Sequence, residues 1–256
     1  MDPTEVLTRA AEGPDVVLRY AAYEDGLVDV FLPPSLGRPA STLPLIVLVH
    51  GGFWRQQTDR RHLRPLANDL CGRGFVVAVP EYRRGDGGWP ATGSDVESAL
   101  LATPAMLDDV APGWVDPAAP LVLAGHSAGG HLALWAGLRA GRARVRRVVA
   151  LAPVADLRYA ARTGLGHGAA QALLGGEPDD VPEQYADADP LRLLPGEVPV
   201  TVIQGTADEE VPVSMNRRVA ADHPTVTYVE IDGVDHFALI DPLSAAFQRS
   251  VVPALG

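Results

Sequence analysis

The chain of 256 residues has a single cysteine, no lysine and no long apolar run. With Cys71 alone, an intramolecular disulfide and a cysteine-based metal cluster are excluded, and the cysteine count is consistent with a reducing compartment. Residues Met1 to Glu12 lack the basic start and apolar stretch of a secretion signal, and no later run approaches the ~20 apolar residues that span a bilayer. We therefore expect a soluble, cytoplasmic protein.

Positive charge is scarce relative to negative charge. All 21 basic residues are arginine, and the 32 acidic residues leave a formal net charge of −11. Nucleic acids and anionic membranes are bound by cations that neutralise phosphates, so this balance argues against both as partners. We expect a small-molecule partner, and the oligomeric state stays open. Three common motifs are also missing. A G-x-G-x-x-G after the first strand or a Walker loop would indicate a nucleotide site, and H-E-x-x-H would indicate a zinc peptidase.

What the chain does have is a regular alternation of short apolar runs with segments of helical spacing. An edge hairpin is expected over 16–23 and 27–32. Buried-strand patterns follow at 45–49, 75–79, 121–124, 148–151, 200–203 and 226–231, and helical spacing at 60–72, 95–110, 128–140, 213–222 and 242–254. We predict one α/β domain over 1–256, with a mostly parallel central sheet and helices on both faces. Gly141 is a plausible stop for the third helix, and Asp241-Pro242 a start for the last.

Residues 155–197 interrupt this alternation, because they hold many glycine, proline and aspartate residues around one possible short helix at 167–174. We expect a short excursion over the sheet edge. In an α/β enzyme such an excursion is a candidate lid, cap or pocket wall.

The segment from Leu121 to His131 is an apolar strand, a G-x-S-x-G core and a helical pattern. This is the context of a nucleophile elbow, a sharp strand-to-helix turn that projects a serine hydroxyl above the sheet. Side chains at Gly125 and Gly129 would collide with neighbouring backbone in such a turn. Ser127 is therefore the candidate nucleophile, and the alternative is a glycine-rich turn with an incidental serine.

A serine hydroxyl needs a base, and a histidine with a pKa near ~6.5 is suited to that task. Of the seven histidines, His236 follows the last predicted strand and is the candidate base. His50 is expected to order a loop, His131 to lie on a helix face, and His126 to line the substrate pocket. The remaining three have no motif and are expected at the surface or in loops: His62, His167 and His223.

The carboxylate that orients this base should follow another strand. Asp208 lies shortly after the predicted strand at 200–203, and Glu209 and Glu210 are assigned to the next turn of the chain. The resulting order, Ser127 then Asp208 then His236, is the chain order of α/β-hydrolases and differs from that of the chymotrypsin and subtilisin folds.

Acyl transfer also needs backbone N–H donors for the developing oxyanion. Ala128 supplies one candidate, and Gly51, Gly52 and Phe53, in the turn after an early strand, supply the others. Trp54, next in the chain, is a candidate wall of the substrate pocket. The alternative is an ordinary strand exit whose aromatic residues pack the core.

With these residues in place, the chain resembles the esterase and kynurenine formamidase branch of the α/β-hydrolases, from about Leu43 to its end. The similar motifs are His50-Gly-Gly-Phe-Trp54, Gly125-His-Ser-Ala-Gly-Gly-His-Leu132, Gly205-Thr-Ala-Asp208 with Val211-Pro212, and Asp235-His-Phe-Ala-Leu-Ile-Asp-Pro242. The resemblance implies an acyl-enzyme on Ser127, released by water that His236 activates, with no metal or organic cofactor. It also gives Glu81-Tyr82-Arg83-Arg84 the place of an acidic-Tyr-Arg loop, expected to be structural support.

The resemblance implies cleavage of short-acyl carboxylic esters or of N-formyl amides, as in arylformamidases. A thioesterase, an acyltransferase or a small peptidase would keep the same three side chains, so these alternatives stay open. A non-catalytic binding protein of this fold would be expected to lack one of them. The natural substrate, the lid conformation and the biological pathway are not encoded in the motifs.

Overall fold

The computed structural model describes residues 2–34 and 39–256 and contains one eight-stranded sheet. The strands are β1 Val16–Arg19, β2 Leu27–Phe31, β3 Leu45–Val49, β4 Val76–Pro80, β5 Leu121–His126, β6 Val145–Leu151, β7 Val200–Gly205 and β8 Val226–Ile231. Their order across the sheet is β1-β2-β4-β3-β5-β6-β7-β8. The pairs β1–β2 and β2–β4 are antiparallel and the remaining pairs parallel, which confirms the edge hairpin and the mostly parallel sheet.

Eight α-helices connect or follow the strands in the described residues. They are α1 Arg64–Gly72, α2 Ala91–Val110, α3 Ala128–Ala140, α4 Leu157–Arg162, α5 Leu165–Leu174, α6 Pro182–Ala188, α7 Val213–Asp222 and α8 Val252–Leu255. Short 3-10 helices cover Pro3–Leu7, Arg60–Leu63, Pro190–Leu193 and Phe237–Leu239, and a π-helical turn, Phe247–Val251, leads into α8. Gly141 ends α3 with a positive φ of 70°, as predicted. None of the helices in the described ranges is both long and apolar enough to cross a membrane.

The parallel strands are buried on both faces, which explains their unbroken apolar sequences. In β3, Leu45, Val47 and Val49 belong to one core cluster, and Ile46 and Leu48 to the other, because successive side chains of a strand point to opposite faces. The first cluster also contains side chains of α2, α3 and α7, and the second contains those of α1 and of the C-terminal helix. Helices therefore cover both faces, as the alternation predicts.

The last helix begins later than predicted. The residues after Asp241 form a turn, and Ser244 Oγ accepts a hydrogen bond from Phe247 N at 3.0 Å. Asp241 instead accepts from Leu243 N at 2.9 Å and forms a bidentate ion pair with Arg9. The Asp241 carboxylate, which the sequence predicts as a helix cap, therefore binds Arg9, a residue far away in the sequence.

Residues 155–197 contain α4, α5 and α6 rather than one short helix. Within α5, Gly166, His167 and Gly168 have left-handed backbone, so the predicted helix at 167–174 is regular only after these residues. The carbonyls of Ala172 and Leu173 accept hydrogen bonds from the backbone of a loop near residue 88, between β4 and α2. This excursion therefore packs at the carboxyl ends of the parallel strands.

Candidate active site

Ser127 occupies a tight turn between β5 and α3. Its φ of 56° and ψ of −122° lie outside the regions that most residues adopt, and its side chain is nearly buried. A Cβ on Gly125 would lie 2.1 Å from the carbonyl oxygen of Gly129, and one on Gly129 would lie 2.2 Å from that of Val49. The two flanking positions therefore require glycine, for the steric reason inferred from the motif.

His236, in the loop after β8, is paired with Asp208, in the loop after β7. His236 Nδ1 donates to Asp208 Oδ2 at 2.7 Å, and both side chains are nearly inaccessible to solvent. Asp208 Oδ1 accepts from the backbone N–H groups of Glu210 and Val211 at 2.9 and 2.8 Å. Because Nδ1 carries the donated hydrogen, the neutral ring presents Nε2 as an acceptor.

A buried amide network supports the carboxylate of Asp208. Gln204 Nε2 donates to Asp208 Oδ2 at 2.8 Å, and Gln204 Oε1 accepts from Asn216 Nδ2 at 2.6 Å. Asn216 also donates to the carbonyl of Pro153 at 3.0 Å. Sequence analysis did not identify this network; its only signal is a glutamine inside a strand whose other residues are mostly apolar.

Ser127 and His236 share a cavity of about 190 Å³. The cavity is lined by Leu7, Gly52, Phe53, Thr58, His62, His126, Ser127, Glu210, His236 and Phe237. Asp208 lies behind His236, away from this lining. The structure thus brings together the three side chains that the motifs and the chain order single out.

Of the four predicted oxyanion donors, Gly52 and Phe53 line this cavity, and Gly51 and Ala128 lie outside its lining. A Cβ on Gly51 would lie 2.7 Å from the carbonyl oxygen of His126, so the glycine turn packs directly against the elbow. Ala128 is the first residue of α3. Within the described part of the chain, the N–H groups of Gly52, Phe53 and Ala128 donate no hydrogen bond. Backbone N–H groups without a partner are the kind of donor that an oxyanion requires.

A second histidine–carboxylate pair supports the glycine turn. His50 Nε2 lies 2.8 Å from Glu81 Oε1, and its Nδ1 lies 2.9 Å from the carbonyl of Gly51. Tyr82 stacks on the His50 ring and donates from its hydroxyl to the His50 carbonyl at 2.7 Å. Glu81 and Tyr82 therefore contact the turn and not the cavity, in the structural position expected for them.

Arginines surround Glu81. Arg84 Nη1 lies 2.6 Å from Oε1, and Arg60 donates to Oε2 from its backbone N–H at 3.2 Å and from Nη1 at 3.4 Å. Burial raises the pKa of Glu81, but the hydrogen bond and charge of His50, with the charge of Arg84, outweigh burial and lower it to about 2. The carboxylate is therefore a fixed negative charge inside a cationic shell.

The two residues predicted to line the substrate pocket occupy different positions. His126 lines the cavity, and its Nε2 donates to the carbonyl of His236 at 3.0 Å. Burial lowers the pKa of His126 well below its usual value, so its ring is neutral. Trp54 is outside the cavity lining: it is buried in the core, edge-on to His131 with ring centroids 5.3 Å apart. Trp54 instead borders a neighbouring cavity of about 460 Å³, together with Phe53.

Part of the cavity wall has no motif in the sequence. Leu7 comes from the N-terminal 3-10 helix, which buried Val6 anchors in the second core cluster. His62, expected at the surface or in a loop, is half-buried at the cavity, and burial lowers its pKa to about 4. Glu210 lies two residues after Asp208, and Phe237 directly follows His236; this closeness in sequence is the one signal that points to them.

Known families and structures share this arrangement of elements. Residues 28–222 match the BD-FAE family. Among curated proteins, no sequence matches the chain. A truncated carbohydrate esterase from gut microbiota superposes with a TM-score of 0.76 at 18% identity, with 95% of this chain and 99% of that chain covered. A bifunctional GH43-CE protein of Bacteroides eggerthii gives 0.73 at 20% identity, covering 93% of this chain and 37% of that one.

Esterase 2 of Thermogutta terrifontis, in a structure phosphonylated by sarin, gives a TM-score of 0.72 at 22% identity. The match covers 95% of this chain and 94% of that one. At such low identities the three neighbours carry information about the fold. The α/β-hydrolase fold implied by the sequence resemblance is confirmed.

Proposed function

Because the chain belongs to the BD-FAE family of α/β-hydrolase-type esterases, we propose that it is a serine carboxylesterase that cleaves short-acyl esters through an acyl-enzyme on Ser127. The observation that carries the proposal is the shared cavity of Ser127 and His236, together with the 2.7 Å hydrogen bond from His236 to Asp208. Nucleophile, base and orienting carboxylate are the parts that acyl transfer requires.

In the first half-reaction, Ser127 Oγ attacks the ester carbonyl carbon and its proton passes to His236 Nε2. Asp208 stabilises the imidazolium through the Nδ1 hydrogen bond. The carbonyl oxygen becomes an oxyanion, which the N–H groups of Gly52, Phe53 and Ala128 bind. Collapse of this intermediate breaks the ester bond, and His236 gives its proton to the leaving alkoxide.

In the second half-reaction, water takes the place of the alcohol. His236 removes a proton from the water as it attacks the acyl carbon, and the same N–H groups stabilise the second oxyanion. Ser127 then leaves with the proton from His236, and the carboxylic acid is released. The residues of this chain supply each proton transfer without a metal or organic cofactor.

The size of the cavity supports a short acyl group. A volume of about 190 Å³ accommodates few heavy atoms beyond the reacting ester. Phe53 and Phe237 add aromatic surface at its wall. Formyl to butyryl esters are therefore the preferred class. N-formyl aryl amides are the second candidate, because a formyl group is the smallest acyl group that this cavity can hold.

The test is a substrate panel measured as kcat/KM. It contains nitrophenyl esters from acetyl to octanoyl, N-formylkynurenine, an acyl-CoA, aminoacyl amides and, because one neighbour is a carbohydrate esterase, an acetylated sugar. We expect a maximum at four carbons or fewer. A maximum at octanoyl would contradict the small acyl pocket, and preference for the thioester or amides would favour the corresponding alternative.

Ser127→Ala is the blank, and a fluorophosphonate probe identifies the nucleophile by its labelled peptide. We expect labelling of wild type at Ser127 only and a loss of at least ~10⁴-fold in kcat for the variant. The matched control is Ser94→Ala, which removes an exposed serine of α2. Undiminished turnover or labelling in Ser127→Ala would reject the proposed nucleophile.

A further inference from the structure

The described lining of the cavity at Ser127 contains an acidic side chain and no arginine. Among the described residues that line it, Glu210 is the one acidic side chain, and no arginine is present. Leu7, Phe53 and Phe237 contribute apolar surface. The remaining ionisable side chains of the lining are histidines, and burial keeps two of them, His62 and His126, uncharged at neutral pH. The charge within this lining is therefore negative, and the nearest arginines line the neighbouring cavities, Arg55 beside Phe53 and Arg61 beside His62.

Glu210 is held in place by its backbone and leaves its carboxylate exposed. Its N–H donates to Asp208 Oδ1 at 2.9 Å, so its position is tied to the carboxylate that orients His236. The ion pairs within the described residues do not include Glu210. Its charge is available to a ligand. Glu209, the preceding residue, is exposed too and lies outside the cavity lining.

The location of Glu210 identifies the part of the substrate that it faces. The acyl oxygen must point to the N–H groups of Gly52, Phe53 and Ala128, and the leaving oxygen must reach His236, which protonates it. Glu210 lines the cavity two residues after Asp208, the partner of His236, and this connection assigns it to the leaving-group side. The Phe237 ring, edge-on to His236 at 5.1 Å between centroids, lines the same side and can face a cation.

Resting on the proposed esterase function, we propose that Glu210 selects esters whose alcohol part carries an ammonium group. The carboxylate attracts the ammonium and the aromatic rings cover its alkyl surface. Two unit charges ~6 Å apart at an effective dielectric constant of ~40 correspond to about a tenfold preference. Anionic alcohol parts are disfavoured by a similar factor.

The experiment compares two acetyl esters of equal shape: acetylcholine and 3,3-dimethylbutyl acetate, in which carbon replaces the charged nitrogen. The ratio of their kcat/KM values is measured for wild type, Glu210→Gln and Glu209→Gln at low ionic strength. Each ester has the same intrinsic reactivity with every variant, so a change in the ratio reports recognition. Where turnover of either ester falls below detection, the same ratio is taken from competitive inhibition of nitrophenyl acetate hydrolysis.

We expect Glu210→Gln to lower the ratio of cationic to neutral ester about tenfold and Glu209→Gln to leave it within twofold of wild type. Salt should lower the wild-type ratio, because mobile ions screen an exposed carboxylate. An unchanged ratio in Glu210→Gln, or an equal fall in Glu209→Gln, would overturn the proposal. Nitrophenyl acetate turnover that depends on Ser127 separates this outcome from a failure of the proposed esterase function.

Discussion

Two histidine–carboxylate pairs stand at the carboxyl ends of the parallel strands, on opposite sides of Ser127 in the sheet order. His50 and Glu81 follow β3 and β4, and Asp208 and His236 follow β7 and β8. The ring nitrogen to carboxylate distances are similar, 2.8 Å in the first pair and 2.7 Å in the second. Both histidines are nearly inaccessible to solvent. Pair geometry alone therefore does not distinguish the candidate base from a structural histidine.

The pairs differ in what surrounds them. Both ring nitrogens of His50 have fixed partners, Glu81 and the Gly51 carbonyl, and arginines surround the carboxylate. His236 uses only Nδ1 for its carboxylate, and its ring borders the Ser127 cavity. Asp208 is held by backbone N–H groups and a glutamine amide, and among the described residues its one ion-pair partner is His236.

This difference has a chemical consequence. An imidazolium that forms on His236 during proton transfer would be stabilised by a carboxylate that no arginine of the described residues contacts. Arg60 and Arg84 already compensate the charge of Glu81. The pair of His50 and Glu81 is therefore suited to holding the glycine turn in place. The comparison predicts that removing one carboxylate impairs chemistry and removing the other impairs folding.

The largest effect is expected from Asp208→Asn. The asparagine Oδ1 can keep the N–H bonds from Glu210 and Val211, which turns the NH₂ group toward His236 Nδ1. The ring then carries its hydrogen on Nε2 and cannot accept the proton of Ser127. We expect kcat for nitrophenyl butyrate to fall about 10⁴-fold, and the free energy of unfolding to fall by about 1 kcal/mol, because the buried Gln204 amide loses its acceptor on this side chain.

The control for Asp208→Asn is Asp232→Asn, in the loop after β8, where the carboxylate is exposed and accepts a hydrogen bond from Thr206 Oγ1. It should keep wild-type kcat. Activity within tenfold of wild type in Asp208→Asn would remove Asp208 from the proposed triad.

Glu81→Gln should show the opposite pattern. The amide has the volume of the carboxylate but leaves Arg84 without a buried counter-charge, removes the carboxylate partner of His50, and leaves Arg60 paired with Asp29 alone. Breaking a buried ion-pair network costs about 3 kcal/mol. We expect this loss in urea unfolding, with a fall in kcat/KM of less than 10²-fold, through displacement of the glycine turn. The exposed Glu24→Gln is the control. A 10⁴-fold loss of kcat at unchanged stability would show that Glu81 takes part in the chemistry.

The framework of this site was predictable from sequence because buried elements have strong local signals. The bounds of β3, β8, α3 and α7 are those predicted from apolar runs and helical spacing. The elbow was predictable for a steric reason, since Gly125 and Gly129 leave no room for a Cβ. Motifs and strand ends then pointed to the residues of the proposed triad.

The remaining features depend on contacts between segments far apart in sequence. Arg9 binds Asp241, across 232 residues, and this contact competes with the helix cap that the local sequence favours. The N-terminal segment is polar and without periodicity, so no pattern places Leu7 at the cavity. The same holds for His62, whose burial is created by neighbours from other segments. Trp54 was predicted beside the cavity from sequence adjacency, but its positive φ of 55° directs it into the core.

A third buried histidine, His131, differs from the histidines of both pairs. His131 is buried like His50 and His236, but within residues 2–34 and 39–256 it has no carboxylate partner: its Nε2 donates to the Ala188 carbonyl at 2.9 Å. Burial lowers its pKa to about 4 from an unfolded value of 6.5. Between these values the unfolded chain binds the proton and the folded chain does not. Stability is therefore present above pH 6.5 and is lost as the pH falls toward 4, by about 2 kcal/mol at pH 5 for one such histidine.

The measurement is the difference between the free energies of unfolding at pH 7 and pH 5. We expect His131→Leu to lose less stability than wild type over this interval, by about 2 kcal/mol, whatever its stability at pH 7. His223→Gln, at the end of α7, provides the control and should retain the wild-type difference. An identical pH dependence in wild type and His131→Leu would contradict the lowered pKa.

The smallest effect concerns the cavity between the two pairs, which Leu7 helps to close. Leu7 lines the cavity while Trp54 does not, so Leu7→Ala should enlarge the space around Ser127 with little effect on the triad. Its segment stays anchored by buried Val6 and by the ion pair of Arg9 with Asp241. We expect the kcat/KM ratio of hexanoyl to acetyl nitrophenyl esters to rise about three- to fivefold, since ~1 kcal/mol of steric hindrance corresponds to about a fivefold change.

Leu243→Ala removes a leucine that is 75% exposed and should leave the ratio unchanged. If Leu7→Ala also leaves it unchanged, the N-terminal segment covers the cavity without setting its acyl selectivity, and the limit on acyl length must come from the Phe53 side.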